Sequence, residues 1–310
     1  MREQNKIAII GAGSVGATTA YACLLLKSAS SIIMVDVDQA RAEAEVSDLS
    51  DAAFISDARI KVGDLKEAGQ CDVIVITAGA KQRPGESRID LIQRNHAILS
   101  SVIEGMKPMK PSTIILLVAN PVDILTQVAQ KISQLKPQQV FGSGTFLDSQ
   151  RLRLELSKVL KIAESSIHAH VLGEHGDSQF VAWSSGTVGD VPLLSLPAIQ
   201  SLDRDQVAKE VRTKAYKIIQ SKGSTFYGIG GCVAQIVKAI LQDTRQVRPV
   251  SHYIESLNVC LSLPAVIGKE GICQSLMPPL NDQEKQQLEA SASAIRGIVQ
   301  NYVTDQNEKV

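Results

Sequence analysis

The sequence predicts an α/β fold in which a doubly wound parallel sheet is followed by an α+β domain. Continuous apolar runs at residues 6–10, 32–36, 71–77 and 113–120 are typical of strands that are covered on both faces. Helical stretches such as residues 40–52 alternate with these runs, and that alternation favours a parallel sheet. At 310 residues the chain also exceeds the usual size of one core, which favours two domains.

The first apolar run leads into a glycine turn and then a helix. Residues 6–26 read KIAIIGAGSVGATTAYACLLL, with Gly11, Gly13 and Gly16 in GxGxxG spacing. The first glycine permits a tight turn, the second lets backbone N–H groups approach a pyrophosphate, and the third lets helix and strand pack closely. The positive end of the helix dipole adds to this anion site. The pattern predicts a dinucleotide site of the Rossmann type.

The second apolar run ends in Asp36, 20 residues after Gly16. A carboxylate at this distance binds the ribose hydroxyls and repels a 2′-phosphate, so the pattern indicates NAD and not NADP. Asn120 and Pro121 end the fourth run at the edge of the sheet where such folds bind their ligands. The sheet-type pattern stops near residues 141–144. We therefore predict an NAD-binding domain at residues 1–143 and a substrate domain at residues 144–310.

Composition and charge argue against several other classes of function. Lys plus Arg and Asp plus Glu number 32 each, so no net charge attracts nucleic acid or an anionic membrane. No apolar run approaches the roughly 20 residues that span a bilayer, and the apolar start is too short for a signal peptide. The five cysteines lack CxxC spacing, which favours reduced, mostly buried thiols and no metal site. We expect a cytoplasmic protein.

A polar loop follows the third apolar run. Residues 77–88 read TAGAKQRPGESR, and Gly79, Pro84 and Gly85 interrupt regular structure there. This composition fits either a solvated basic loop or a mobile lid over the ligand edge of the sheet. The side chains that such a lid would carry to a ligand are Lys81, Gln82, Arg83 and Arg88.

The motif GEHGDS at residues 173–178 places His175 between two glycines where an apolar run ends. An imidazole exchanges protons near neutral pH, although a histidine here can also be purely structural. Asp148 and Arg151 lie three positions apart on one face of a predicted helix, which fits an intrahelical ion pair. Alternatively, Asp148 hydrogen-bonds one ring nitrogen of His175, and Arg151 binds a substrate carboxylate through two parallel N–H bonds.

Two apolar stripes predict further helices in the second half of the chain. The first stripe, predicted to be core, comprises Val207, Val211, Ala215 and Ile218. The second stripe, on a closing helix, comprises Leu288, Ala292, Ile295, Val299 and Tyr302.

Taken together, the motifs resemble the lactate/malate dehydrogenase family, with the lactate enzymes the better match. GAGSVG, TAGAKQRPGESR, VANPVDILT, GSGTFLDSQRLR, GEHGDS, KGSTFYGIG and VCLSLPAVIG occur in the family's order, and the resemblance runs from Lys6 to about Tyr302. It implies reversible hydride transfer between NADH and a 2-oxo acid such as pyruvate, giving the L-2-hydroxy acid. Malate dehydrogenase is the alternative within the family. A non-catalytic, NAD-binding redox sensor is the alternative outside it.

The resemblance also implies the roles of individual residues. His175 would transfer the proton, Asp148 would orient it, Arg88 would polarise the reacting carbonyl, and Arg151 would bind the substrate carboxylate. The other substrate contacts would be Gln82, Asn120, Asp123 and Thr225. The cofactor contacts would be Gly11, Gly13, Val15, Gly16, Asp36, Arg41, Gly79, Ala80, Ser101, Val118, Asn120 and Ser143.

Gln82 bears on the choice of substrate. It lies six positions before Arg88, where malate dehydrogenases of this family carry an arginine that pairs with the second carboxylate of oxaloacetate. A neutral amide cannot neutralise that carboxylate, so the resemblance favours pyruvate. A shift of the loop by one residue would present Lys81 or Arg83 instead.

The resemblance leaves regulation open. Bacterial relatives bind fructose 1,6-bisphosphate across a subunit interface with residues that match Arg153 and His168, but relatives that are not activated have the same residues. We expect a homotetramer. The chain begins at its first predicted strand, without the N-terminal arm of some tetrameric relatives, so other contacts would hold the subunits together.

Overall fold

The computed structural model describes residues 5–80 and 88–307, and its first half contains the predicted parallel sheet. The strands of this half are β1 (Lys6–Ile10), β2 (Ser31–Val35), β3 (Arg59–Val62), β4 (Val73–Ile76), β5 (Ile114–Leu117) and β6 (Val140–Gly142). They lie in the order β3-β2-β1-β4-β5-β6 and pair in parallel. This is the strand order of a doubly wound dinucleotide-binding fold, so the predicted fold class is confirmed.

Helices cover both faces of the parallel sheet. They are α1 (Ser14–Leu25), α2 (Gln39–Asp51), α3 (Leu65–Ala68), α4 (Arg88–Met106) and α5 (Val122–Ser133). Alternate residues of β1 point to opposite faces, so Ile9 packs in the core that includes Leu24 of α1, and Ile10 packs in the core that includes Ile103 of α4. Burial on both faces is the reason that these strands read as continuous apolar runs.

The second half combines helices with antiparallel strands. Its helices are α6 (Phe146–Leu160), α7 (Pro197–Gln200), α8 (Arg204–Lys222), α9 (Tyr227–Leu241) and α10 (Asp282–Asn307). Its strands are β7 (Ile167–His168), β8 (Val171–Leu172), β9 (Phe180–Val181), β10 (Thr187–Val188), β11 (Val191–Pro192), β12 (Gln246–Ile254), β13 (Val259–Gly268) and β14 (Gly271–Ser275).

The second half also extends the sheet of the first. β12 pairs antiparallel with β6 at Ser251 and Gly142, β13 pairs with β12, and β14 pairs with β13. Within residues 5–80 and 88–307, nine strands therefore form one sheet. A Cβ on Gly142 would lie 2.6 Å from Thr126 Oγ1 and 3.2 Å from Ser251 Cβ, so a glycine is needed where the two halves join.

The two predicted stripes have different outcomes. Leu288, Ala292 and Ile295 of α10 are buried, as predicted, whereas the side chain of Tyr302 lies outside the described residues. On α8 the core prediction holds for Val207 and Val211 but is wrong for the other two positions, which are half-buried. The C-terminal half of α8 projects beyond the core that its first half contacts.

All five thiols are free of disulfides, and most of them are buried, as the sequence predicts. Cys23, Cys71, Cys232 and Cys260 are buried, and Cys273 is exposed. Burial raises the pKa of Cys23 and that of Cys232 to about 12, so both remain protonated at neutral pH. In the part of the chain that the structure describes, no helix is both long and apolar enough to cross a membrane.

Candidate active site

The glycine turn between β1 and α1 has the geometry that a dinucleotide cradle requires. Gly11 has φ +106°, and a Cβ there would lie 2.7 Å from Thr77 Oγ1. A Cβ on Gly16 would lie 1.9 Å from the Gly11 carbonyl oxygen, so this glycine permits the contact between helix and strand. A Cβ on Gly13 would meet nothing within 4 Å. The turn is therefore open at the N-terminus of α1, where a pyrophosphate would bind.

Asp36 follows β2 and is fixed against this turn. Its Oδ2 accepts the Ala12 N–H at 2.6 Å, and its Oδ1 accepts the Asp38 N–H at 2.9 Å. Arg41 Nε donates to the Ala12 carbonyl oxygen at 3.1 Å. The predicted ribose carboxylate thus lies directly beside the predicted phosphate cradle, which is the arrangement that NAD requires.

The remaining predicted cofactor residues lie mainly at the carboxyl ends of the central strands. Those that follow β4, β5 and β6 are Gly79, Ala80, Val118, Asn120 and Ser143. Val15 is half-buried on α1, and Ser101 is exposed on α4.

Asn95 of α4, which the sequence analysis did not single out, connects two of these strand ends. Its Oδ1 accepts the Ala80 N–H at 2.6 Å, and its Nδ2 donates to the Asn120 carbonyl oxygen at 2.7 Å. Asn95 is buried. Between Arg94 and His96 it gives no sequence signal, because its partners are backbone atoms that no residue pattern marks.

His175 lies in the loop between β8 and β9, next to Asp148 of α6. Its Nδ1 is 2.7 Å from Asp148 Oδ2. An ionised carboxylate can only accept a hydrogen bond, so Nδ1 carries the hydrogen and Nε2 is the nitrogen that can exchange a proton with a substrate. The Asp148 side chain is buried, whereas 28% of the His175 side chain is exposed. The contact predicted between these two residues is present.

Arg151 contacts the other oxygen of the same carboxylate. Its Nη1 donates to Asp148 Oδ1 at 3.1 Å, so the ion pair and the contact with His175 exist together. The two interpretations of the three-residue spacing are therefore compatible. The ion pair uses one of the five N–H donors of the guanidinium, so others can bind a substrate carboxylate.

The electrostatics of this cluster favour a charged histidine. Burial opposes a charge on the ring, but the Asp148 carboxylate, helped by Asp123, raises the pKa of His175 above its ordinary value against the opposing effect of Arg151. Burial also acts to raise the pKa of Asp148, but His175 and Arg151 hold it below its ordinary value. An imidazolium beside a carboxylate is the state that general acid catalysis needs.

Several buried hydrogen bonds fix the histidine loop relative to α6 and β13. Thr145 Oγ1 donates to the Val171 carbonyl oxygen at 2.6 Å, and Ser149 Oγ accepts the Val171 N–H at 2.9 Å. Gly173, with φ +88°, donates its N–H to the Ser262 carbonyl oxygen at 3.0 Å. The backbone on the N-terminal side of His175 is thereby held in place, which fixes the distance to Asp148.

The predicted substrate residues are distributed around this cluster. Asn120 is exposed after β5, and Thr225 is half-buried between α8 and α9. Asp123 is buried near the start of α5, and its Oδ2 accepts the His175 backbone N–H at 2.7 Å. Arg88 is the first residue of α4.

The lid residue predicted to face the substrate, Gln82, lies outside the described residues, as do Lys81 and Arg83.

Arg153 and His168, the candidate effector residues, lie on α6 and β7. Arg153 Nε donates to the Ala169 carbonyl oxygen at 3.2 Å, and its Nη2 is 3.5 Å from His170 Nδ1. Burial, with a contribution from Arg248, lowers the pKa of Arg153 to about 10. Cationic side chains are therefore gathered at this position.

An open dinucleotide cradle, a carboxylate-held histidine and a buried arginine together define an NAD-dependent dehydrogenase. Comparison with known families agrees with this class. Residues 5–142 match the NAD binding domain of lactate/malate dehydrogenase, and residues 145–305 match its alpha/beta C-terminal domain. The chain belongs to the lactate/malate dehydrogenase family.

Individual relatives within the family are similar to this chain over almost its whole length. L-lactate dehydrogenase A from Rhizopus oryzae is 48% identical over 294 residues, which cover 95% of this chain and 92% of the relative. The crystal structure of a lactate dehydrogenase from a Medee basin deep-sea metagenome library is 36% identical with a TM-score of 0.92, covering 98% and 100% of the two chains. The crystal structure of the minor L-lactate dehydrogenase from Enterococcus mundtii is 32% identical with a TM-score of 0.91, covering 96% of this chain and 98% of that chain.

Proposed function

We propose that this protein is an NAD-dependent L-lactate dehydrogenase, which reduces pyruvate to (S)-lactate and catalyses the reverse reaction. The observation that carries the proposal is the 2.7 Å contact between His175 Nδ1 and Asp148 Oδ2, with Arg151 on the same carboxylate. The near full-length similarity to L-lactate dehydrogenases supports this substrate. A carbonyl compound with an adjacent carboxylate fits one proton donor and one guanidinium.

The residues divide the work of the reaction between them. Bound NADH supplies the hydride for the carbonyl carbon. Protonated His175 donates from Nε2 to the carbonyl oxygen, while Asp148 holds the tautomer and stabilises the imidazolium. Arg151 binds the substrate carboxylate through parallel N–H bonds. Arg88 stabilises the charge that develops on the oxygen.

The remaining site residues complete the pocket. Gln82, Asn120 and Thr225 contact the substrate, and the residues at the glycine turn and strand ends contact NAD. Asp36 selects NAD over NADP because its carboxylate repels a 2′-phosphate. The cofactor site lies in the domain of residues 1–143, and the acid–base pair lies in the domain of residues 144–310.

Steady-state absorbance at the NADH band, with pyruvate and with oxaloacetate as substrates, tests the proposal. We expect rapid oxidation of NADH with pyruvate and at least tenfold lower kcat/KM with oxaloacetate. Preference for oxaloacetate would identify a malate dehydrogenase, and NADH binding without turnover of either substrate would identify a sensor. Pyruvate reduction by a His175→Ala variant would overturn the assigned mechanism.

We further propose that the enzyme is a cytoplasmic homotetramer and that fructose 1,6-bisphosphate binds at Arg153 and His168. The free, buried thiols suit a reducing compartment. Large apolar side chains are exposed around α1 and α9, as expected of subunit contacts: Tyr21, Leu25, Phe54 and Tyr227. Arg153 contacts a carbonyl oxygen and a histidine ring, so an anion can still pair with its charge.

Titration of the bisphosphate at subsaturating pyruvate, followed by kinetics and by sedimentation, tests this assembly and its effector. We expect a lower half-saturation for pyruvate and a stable tetramer, and we expect an Arg153→Gln variant to lose the response. Unchanged kinetics and sedimentation would overturn the effector site.

A further inference from the structure

We propose that Asp123 is a positioning residue for His175, which fixes the histidine loop to α5 and adds a second negative charge close to this histidine. The inference rests on the proposed function, because it takes His175 to be the proton carrier. It gives Asp123 a task that acts through the histidine, in contrast to the substrate contact that the family resemblance implies.

The contact joins the two halves of the chain. Asp123 Oδ2 accepts the His175 backbone N–H at 2.7 Å across 52 positions of sequence. Asp123 lies on α5, within the NAD-binding half, whereas Asp148, which holds the ring, lies on α6 of the second half. His175 is thus held from both sides, with its backbone fixed to one half and its ring fixed to the other.

Because Asp123 is buried, its charge interacts strongly with other charged groups close to it. Only 2% of its surface is exposed, and its Oδ1 makes no hydrogen bond to a residue in the described part of the chain. In such an environment a nearby positive charge has a large effect on whether a carboxyl group ionises. A carboxylate buried this deeply is costly unless its charge has a favourable partner, and the His175 N–H and ring are such partners.

The groups that face Asp123 come from three elements. His175 and Glu174 approach from the loop after β8, the Cys260 thiol faces it from β13, and the Ser251 hydroxyl faces it from β12. Burial raises the pKa of Asp123 to about 6, with Ser251 and His175 acting to lower it and Glu174 to raise it. Burial therefore moves the pKa of Asp123 out of the usual carboxylate range and toward that of histidine.

Their charges support one another. An ionised Asp123 favours the protonated His175 and contributes to its raised pKa. When His175 gives up its proton to the substrate, its positive charge no longer favours the ionised form of Asp123. The two ionisations are therefore linked. The link predicts that removing the Asp123 charge will lower the pKa that controls pyruvate reduction.

Two substitutions separate charge from position. In Asp123→Asn the side-chain carbonyl can still accept the His175 N–H, but the charge is lost; in Asp123→Ala both are lost. For Asp123→Asn we expect the alkaline limb of kcat/KM for pyruvate to move at least 0.5 pH unit to lower pH. For Asp123→Ala we expect the same shift and, in addition, at least a tenfold fall in kcat on the acid plateau, because the loop is no longer fixed.

Glu284→Gln is the matched control. Glu284 is also a buried carboxylate near the start of a helix, and its Oε1 accepts the Ser184 N–H at 2.9 Å, but it lies on α10 and its hydrogen bonds go to Ser184 and Asn281. Loss of the Glu284 charge should lower thermal stability without moving the alkaline limb of kcat/KM for pyruvate. The melting temperature and NADH affinity of each variant separate a folding defect from the expected effect.

The outcomes distinguish this inference from the proposed function. An unmoved limb in Asp123→Asn, together with an inactive His175→Asn, would overturn the inference alone. Pyruvate reduction by His175→Asn would overturn both. If the Asp123 variants do not fold, NMR of ring-labelled histidine in the wild-type protein decides. The His175 signal should titrate in two steps, one of them near pH 6, and a one-step titration would overturn the inference.

Discussion

At the scale of single residues, His175 depends on its two carboxylate contacts. The Asp148 carboxylate lies 2.7 Å from His175 Nδ1 and fixes the ring tautomer. The Asp123 carboxylate accepts the His175 backbone N–H, also at 2.7 Å, and fixes the backbone. Together they hold the pKa of the ring above its ordinary value against the cost of burial. This value determines in which pH range each direction of the proposed reaction proceeds.

The two directions should have opposite pH dependences. Pyruvate reduction needs protonated His175, so its kcat/KM should be highest below the raised pKa and fall as pH rises through it, whereas lactate oxidation should rise there. Asp148→Asn should move both limbs to lower pH and reduce kcat by on the order of 10²–10⁴ with little change in NADH affinity. Glu155→Gln, on the same helix but paired with Lys158 and Lys214, is the control. Parallel limbs would refute the acid–base assignment.

Substrate preference should follow the charge at position 82. With a neutral amide at this position the second carboxylate of bound oxaloacetate would lack a cation, which costs about 1.5–3 kcal/mol. At about 1.4 kcal/mol per tenfold, pyruvate should be preferred at least tenfold. Gln82→Arg should move the preference toward oxaloacetate, mainly in kcat/KM. If Lys81→Gln moves the preference toward pyruvate and Gln82→Arg leaves the preference unchanged, the predicted loop register is wrong.

The contact between Asp148 and His175 could be predicted from the sequence because its signals are local. Asp148 and Arg151 share a helix face, and His175 lies in a short glycine-flanked motif. The contacts made by Asp123 and Asn95 could not be predicted. Each side chain bonds to backbone atoms 15 to 52 positions away, and backbone groups give no sequence signal. Only the folded arrangement of α4 and α5 against the strand ends shows these contacts.

At the scale of secondary structure, the glycine turn and α1 form the part of the cofactor site that the structure describes most fully. The GxGxxG spacing predicted both the turn and the helix, because each glycine meets a steric requirement of the backbone. The strands β12, β13 and β14 were not predicted. They join the sheet through the single Gly142–Ser251 pair, and nothing in their apolar pattern distinguishes joining an existing sheet from forming a new one.

Two alanine substitutions in the glycine turn should have different effects. In Gly16→Ala the new Cβ would overlap the Gly11 carbonyl oxygen at 1.9 Å, so both the melting temperature and NADH affinity should fall. In Gly13→Ala the Cβ meets nothing within 4 Å, so stability should be retained while NADH binding weakens at least tenfold. Thermal melts and fluorescence titration with NADH measure the two effects. Unchanged NADH affinity in Gly13→Ala would place the phosphates elsewhere.

At the scale of the whole molecule, exposed apolar side chains bear on assembly, and the half-buried His170 bears on stability. The C-terminal half of α8 exposes Tyr216 and Ile219, which fits the proposed tetramer. His170 lies next to Arg153. Burial, and then Arg153, lower the pKa of His170 to about 3. A histidine held neutral in this way makes the free energy of unfolding sensitive to acid.

Replacing His170 with glutamine should reduce the loss of stability in acid. The unfolded chain takes up a proton at the ordinary histidine pKa of 6.5, but the folded chain does so only near 3, so stability is lost as pH falls below 6.5. At pH 5 this contribution is about 2 kcal/mol. His170→Gln should therefore lose about that much less between pH 7.5 and pH 5 in denaturant titrations. The exposed His168→Gln is the control, and equal losses in both variants would contradict the expectation.

The continuous sheet has a consequence for how the protein unfolds. Although the chain matches two family domains, β6 has β5 on one side and β12 on the other, so neither half can melt without exposing an unpaired strand edge of its neighbour. The two halves of each chain should therefore unfold together in calorimetry, within a single endotherm. NADH, whose proposed site lies mainly in the first half, should raise the temperature of that whole endotherm. A second peak that the ligand leaves in place would mean that the Gly142–Ser251 junction separates before either half unfolds.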